Sequence, residues 1–210
     1  MDFNYFLNNL SKITNIEVGG LDAQFKLAPK IRKKYTQDLI ESKNPKKAAV
    51  LALFYPNEFG KTSFLLTLRA TYNGTHSSQI SFPGGKYDNL DNSLKNTALR
   101  ETFEEVGIEV SEKSIFKQMT EVYIPPSNFL VTPFLGYVDF FPNFNKNHEV
   151  ETVINVSLSD FLDEKSISST ILSTSYAKDM IVPCYKLNNY IVWGATAMML
   201  SEIEELLRKI

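Results

Sequence analysis

Cysteine is nearly absent from this 210-residue chain, where Cys184 stands alone. A single thiol cannot close an intrachain disulfide, so the fold must stabilise itself by burial, and a reducing, cytoplasmic setting is expected. Cys184 itself reads as a small buried hydrophobe. Charge of one sign is also lacking. A net charge of −2 and a pI of about 5.8 leave no basic surface of the kind that binds nucleic acid. No apolar run approaches the roughly 18 residues that span a bilayer, and Met1-Asp2 is not the basic start of a secretory leader. Repeats, low-complexity tracts and linkers are missing too. The expectation is a soluble protein with neither a nucleic-acid nor a membrane partner.

What is present is apolar and aromatic: 43% hydrophobic residues, with 15 Phe and 10 Tyr. A chain of this length and composition can bury a sizeable core. Phe3, Phe6, Leu7, Leu10 and Ile13 lie close to a helical stripe, which predicts a short amphipathic helix docked on the rest. Residues 15 to 46 read as a covering segment with little regular structure, its basic run from Lys30 to Lys34 forming a solvated face. The expected division is 1–46 as helix and covering segment and 47–210 as the main domain.

Ala48 to Tyr55 and Ser63 to Arg69 read as strands joined by hairpin chemistry at Pro56, Asn57 and Gly60. Thr71 to Ser78 reads as a polar loop. Further strands are expected over Ile115 to Tyr123, Asn128 to Phe141, Val153 to Leu158, Met180 to Tyr185 and Tyr190 to Val192. A short helix is expected near Ser159 to Leu162, and an amphipathic helix from Gly194 to Arg208 closes the chain. Strands interleaved with a few helices indicate a mixed α/β (α+β) domain.

The chain is organised around Ser81 to Ile108, a glycine-rich turn, an acidic loop and a helix ending in dense acid. Asp91 or Asn92 is placed to cap a helix over about 92 to 106, and Gly107 to end it. Ala98, Leu99, Thr102 and Val106 form its apolar stripe, while Glu101, Glu104 and Glu105 share an adjacent arc. Arg100 precedes Glu104 by four residues, the spacing of a helix ion pair. Three carboxylates this close repel one another unless a cation lies among them, and hard divalent cations seek such oxygens. Gly84 and Gly85 let the backbone approach a ligand closely.

These residues resemble the Nudix box. Arg100 to Ile108, preceded by Gly85, matches its ending except for Thr102, where an aliphatic residue is usual. Asp91 stands where the box carries an isolated Glu, one residue further from Arg100 than usual. That extra residue, the FPGGK motif from Phe82 to Lys86, and Leu65 to Arg69 with His76 are similar to the coenzyme A pyrophosphatase branch of Nudix hydrolases. Ala70 and Ser78 depart from that branch, while Tyr123 to Phe129, Pro133-Phe134, Glu149-Val150 and Trp193 to Ala197 match it.

The resemblance implies a mixed sheet sandwiched between helices, Mg²⁺ or Mn²⁺ as cofactor, and a small coenzyme A-like nucleotide as partner. Homodimerisation is compatible with such a fold. Glu101 and Glu105 are the expected primary metal ligands, because four-residue spacing points both the same way, and the resemblance adds the Gly84 carbonyl. Glu104 either completes the metal shell or takes a proton from the attacking water, oriented by Arg100. Glu149, in a later loop, is either an extra ligand or base or a solvated acid. Arg69 and Lys86 are candidate phosphate contacts; the alternative for Arg69 is pairing with an acid. His76 is either a hydrogen-bonded structural residue or a substrate contact, and Phe82 either stacks on a base or fills the core. Asp88 and Asp91 are either solvated or one shell out from the site, and His148 reads as exposed.

Overall fold

The computed structural model describes residues 1–29, 32, 35–70, 79–174 and 177–210. Short helices open it: α1 (Phe3–Asn8), α2 (Leu10–Asn15), α3 (Gly20–Phe25) and α4 (Gln37–Ser42). Asp2 caps α1 by accepting from the Asn4 N–H, and Thr36 caps α4. The strands β1 (Lys46–Pro56), β2 (Thr62–Arg69), β3 (Ile80–Ser81) and β4 (Gly84–Lys86) lead into helix α5 (Leu94–Val106). After it come β5 (Ile115–Gln118), β6 (Val122–Ile124), β7 (Phe129–Tyr137), β8 (Val150–Ser157) and helix α6 (Leu158–Leu162). The chain finishes with β9 (Ile167–Thr174), β10 (Ala177–Leu187), β11 (Tyr190–Trp193) and helix α7 (Gly194–Leu207).

The main sheet runs β3-β2-β1-β7-β5, with β4 also on β1, β6 on β7 and β8 on β2. β1 and β7 are parallel from Lys46↔Phe129 to Phe54↔Tyr137, and the other pairs are antiparallel, so the sheet is mixed. A smaller antiparallel sheet, β11-β10-β9, lies beside α7 and β3.

β1 explains the layering. Ala49, Leu51, Leu53 and Tyr55 pack with Ala98 and Val106 of α5, whereas Ala48, Ala52 and Phe54 pack with Phe3, Phe6, Ile13 and much of α7. Successive residues point to opposite faces, and both faces are covered, so the strand reads as one continuous apolar run rather than an alternation. Each large side chain buried in this way contributes roughly 1.5–3 kcal/mol. The result is a mixed sheet between helical layers, the arrangement that the resemblance implied.

Several expectations need correction. Ser93 caps α5, accepting from the Asn96 N–H, because Asp91 is committed elsewhere. The strand expected over Ile115 to Tyr123 is split into β5 and β6. At the break, both the N–H and the hydroxyl of Thr120 turn to Glu202 of α7, at 3.2 and 2.5 Å, leaving the ladder. Residues 15 to 46 hold α3 and α4 where little regular structure was expected. Helix α3 is fixed by contact with α7, where Gly20 N–H and Gln24 Nε2 donate to Glu202 at 2.8 and 3.2 Å. Helix α7 is not amphipathic but buried on nearly every side, including Glu202 and Glu204, since α3, β6, β10 and β11 all pack on it. Strand β9 was not foreseen because Ser168, Ser169 and Thr170 break any apolar period; its pairing with β10 makes it a strand. The Thr71 to Ser78 loop, His76, and Lys30, Ile31, Lys33 and Lys34 of the basic run lie outside the described residues. Among the described residues no helix is long and apolar enough to cross a membrane.

Candidate active site

The site forms where α5 lies across β1 and β4. Gly84 pairs with Val50 and Gly85 with Ala49, so β4 is held flat against β1 beneath the helix. Both glycines keep the space beneath the helix clear, Gly84 against rigid backbone and Gly85 against a side-chain end. A methyl group at Gly84 would overlap the Ala49 carbonyl, and its φ of +152° is rarely adopted by other residues. A methyl group at Gly85 would overlap the Glu101 carboxylate itself. The glycine floor therefore brings the backbone directly under the acids of α5.

Glu105 is the buried acid, its side chain only 3% exposed. Gly84 N–H donates to its Oε2 at 3.3 Å, and Arg69 donates to its Oε1 at 3.3 Å. Burial pushes its pKa up to about 7 against the pull of Arg69 and the Gly84 N–H, and the negative charges of Glu101 and Glu149 push the same way. Glu101, half-buried, is also raised, chiefly by desolvation and against the opposing pull of Arg100.

Arg100 and Arg69 divide the acids between them. The Arg100 Nη1 donates to Glu101 at 2.9 Å and to Glu104 at 3.1 Å, while its Nε and Nη2 grip Asp91 at 2.9 and 3.0 Å. Its Nη2 also reaches the Lys86 carbonyl at 3.3 Å. On the far side, the Arg69 Nη2 donates to Glu149 at 3.4 Å. Asp91 is buried and further satisfied by the Thr97 hydroxyl at 2.8 Å and the Asp88 N–H at 3.1 Å. These bonds, Arg100 foremost, pull its pKa down to about 2, and Asp91 in turn raises that of Arg100.

Glu149 arrives from the loop between β7 and β8. That loop lies along the last turn of α5, where Asn145 N–H donates to the Val106 carbonyl at 2.9 Å and Asn147 N–H to the Glu105 carbonyl at 3.0 Å. Gly107 ends the helix in the left-handed conformation, with φ of 73°, and leaves room for Asn145. The Asn147 side chain then accepts from the Glu149 N–H at 2.9 Å, forming a tight Asx turn.

Glu101, Glu104, Glu105, Gly84, Arg69, Arg100 and Glu149 are thus brought together. Others are not. Phe82 is 1% exposed and packs in the core beside Phe64, so no face is open to stack on a base. The Lys86 side chain is exposed, and only its carbonyl joins the Arg100 network. His148 is exposed, as expected. Asn147 and Thr97 were missed altogether; the Asn-x-Glu spacing of an Asx turn was the available signal for the first.

Among the described residues no three acidic, histidine or cysteine side chains converge as a ready-made metal cage, since the arginines stand between the acids. The donor chemistry nonetheless fits a hard divalent cation. The donors are all oxygens, and two acids held above their ordinary range by burial are short of positive charge. Glu101 and Glu105, with Glu149 opposite, could take it.

A mixed sheet between helices, with an acid-bearing helix closed over a double-glycine strand, is the class of architecture that the box resemblance implies. The NUDIX domain family matches residues 45–172, and the chain belongs to that family. It is similar to the chloroplastic Nudix hydrolase 22 of Arabidopsis thaliana, 31% identical over 162 residues, 74% of this chain and 53% of that protein. It is also 31% identical to the mitochondrial coenzyme A diphosphatase NUDT8 of Homo sapiens over 143 residues, 67% of this chain and 61% of that one. The chain thus spans only 53–61% of the length of these two relatives. A crystal structure of a MutT/nudix family protein from Enterococcus faecalis shares the fold, with a TM-score of 0.56 and 14% identity over 84% of this chain and 71% of that one.

Proposed function

We propose that the protein hydrolyses the pyrophosphate bond of coenzyme A or an acyl-coenzyme A to 3′,5′-ADP and (acyl-)4′-phosphopantetheine, with Mg²⁺ or Mn²⁺ as cofactor. The observation that carries the reading is the convergence of Glu101 and Glu105 on the Gly84–Gly85 floor, with Arg69 and Glu149 opposite. Its coenzyme A component is supported by the likeness to a coenzyme A diphosphatase and by the motifs before Gly85.

When bound, a divalent cation supplies Lewis acidity toward the pyrophosphate oxygens and the attacking water. Glu101 and Glu105 would hold it, with the Gly84 carbonyl as a further donor. Glu104, half-exposed at the helix surface and aimed by Arg100, takes the proton of the attacking water. Arg100 is itself held by Asp91, so the base and one metal ligand are oriented from a single guanidinium. Glu149 is the second candidate for ligand or base, and Arg69 contacts a phosphate. Phe82 supports the floor from beneath. The same reading takes the protein as cytoplasmic and its partner as a small nucleotide-bearing molecule.

The test is product analysis by chromatography after incubation with coenzyme A, ADP-ribose and a dinucleotide, each with Mg²⁺ and with Mn²⁺. A 3′,5′-ADP product from coenzyme A supports the proposal. Cleavage only of the other two would keep the chemistry and discard the substrate, and no cleavage of any would leave a nucleotide-binding protein.

A further inference from the structure

The four acids of the site are held as two arginine-bridged pairs, and the two bridges are not equivalent. Arg100 is locked, because two of its nitrogens grip buried Asp91 at 2.9 and 3.0 Å while a third holds Glu101 and Glu104. Arg69, the last residue of β2, reaches its two acids by longer bonds, 3.3 Å to Glu105 and 3.4 Å to Glu149, and holds neither through a second nitrogen. It also lies between the deepest acid and the half-exposed one, with its own side chain 21% exposed.

We propose that Arg69 is a charge stand-in: it offsets part of the charge of Glu105 and Glu149 while no divalent cation is bound, and turns to a substrate phosphate once one is. This rests on the function proposed above and adds an order and a sign to it. A guanidinium and a divalent cation drawn to the same carboxylates repel each other, most strongly where water is scarce. Each therefore weakens the other's hold on Glu105, and the penalty is reciprocal. A guanidinium loosened from Glu105 presents a planar fork of donors, which suits a phosphate better than a lysine does. Cation and phosphate then support each other's binding, because the first frees the group that receives the second. Arg100 cannot serve in this way, since moving it would leave Asp91 buried without its partner.

The experiment is Mn²⁺ titration without nucleotide, followed by the electron paramagnetic resonance signal of the free ion. It uses the full chain and its Arg69→Gln, Arg69→Met and Arg69→Lys variants. Arg69→Met keeps the aliphatic stem, so packing is not lost with the charge, and Arg69→Lys keeps the charge. The expected result is Mn²⁺ binding tightened about five- to tenfold by Gln and Met and changed less than about twofold by Lys. ADP, titrated at saturating Mn²⁺, should bind about tenfold more weakly to Gln and Met than to the unmodified chain. Unchanged or weaker Mn²⁺ binding by both Gln and Met would overturn the proposal and make Arg69 a scaffold for the acids. Failure of every form to bind Mn²⁺ would instead remove the metal-dependent function, and this inference with it.

Discussion

Gly84 and Gly85 are neighbours with different duties. At Gly84 an added methyl group meets rigid backbone and a φ of +152°, so Gly84→Ala should cost about 2–4 kcal/mol of stability, read as a lower urea midpoint. At Gly85 it meets only the end of the Glu101 side chain, which can swing aside. Gly85→Ala should therefore unfold near the original midpoint yet lose at least about tenfold in turnover, since Glu101 is displaced. Asp91 makes a prediction in pH. Its folded pKa of about 2 lies below the ordinary 3.8, so its contribution is complete above about pH 4 and is lost as pH falls toward 2. Asp91→Asn should cost about 2 kcal/mol near neutrality. The gap between the variant and the unmodified chain should close over that acid window in urea melts; a gap independent of pH would refute the ion-pair account.

At the scale of elements, the site is a helix end and a loop locked together. The loop before β8 satisfies the carbonyls of Glu105 and Val106, which the last turn of α5 would otherwise leave open, and its Asx turn at Asn147 sets the direction of Glu149. Asn147→Ala should lower turnover about as much as Glu149→Gln does, and Asn147→Asp, which keeps the acceptor, should restore most of it. Combined with Glu149→Gln, Asn147→Ala should add little, because a residue acting through Glu149 has nothing left to position. Additive losses would show that Asn147 serves the helix end instead.

Across the whole molecule, the opening helices are part of the core. Phe6 is fully buried, with ring centroids 5.1 Å from Phe54 and 6.0 Å from Phe116. Phe6→Ala should cost about 3–5 kcal/mol in a denaturant melt, because a chain with these side chains already in place cannot collapse into the cavity. Glu202 ties the same region from the other end, joining α3, the β5–β6 break and α7 through one carboxylate. These contacts, roughly 80 to 180 residues apart in sequence, hold the chain's two ends against one face of the main sheet.

Local patterns determined much on their own: the apolar run of β1, the helix of α5 with its Gly107 stop, the Arg100–Glu104 pair and the acid cluster itself. Each depends on periods of two or 3.6 residues or on a single turn, all visible within a dozen positions. Tertiary structure decided the rest. Asp91 looked like a cap and became the anchor of Arg100, because a charged guanidinium outcompetes a helix N–H for a buried carboxylate. Thr120 left its strand for Glu202, and Phe82 went to the core. Arg69, open between phosphate and acid in the sequence, lies between Glu105 and Glu149, residues 36 and 80 positions away. A sequence states which groups carry charge; only the fold sets which of them share a low-dielectric space, where pairing outweighs any local preference.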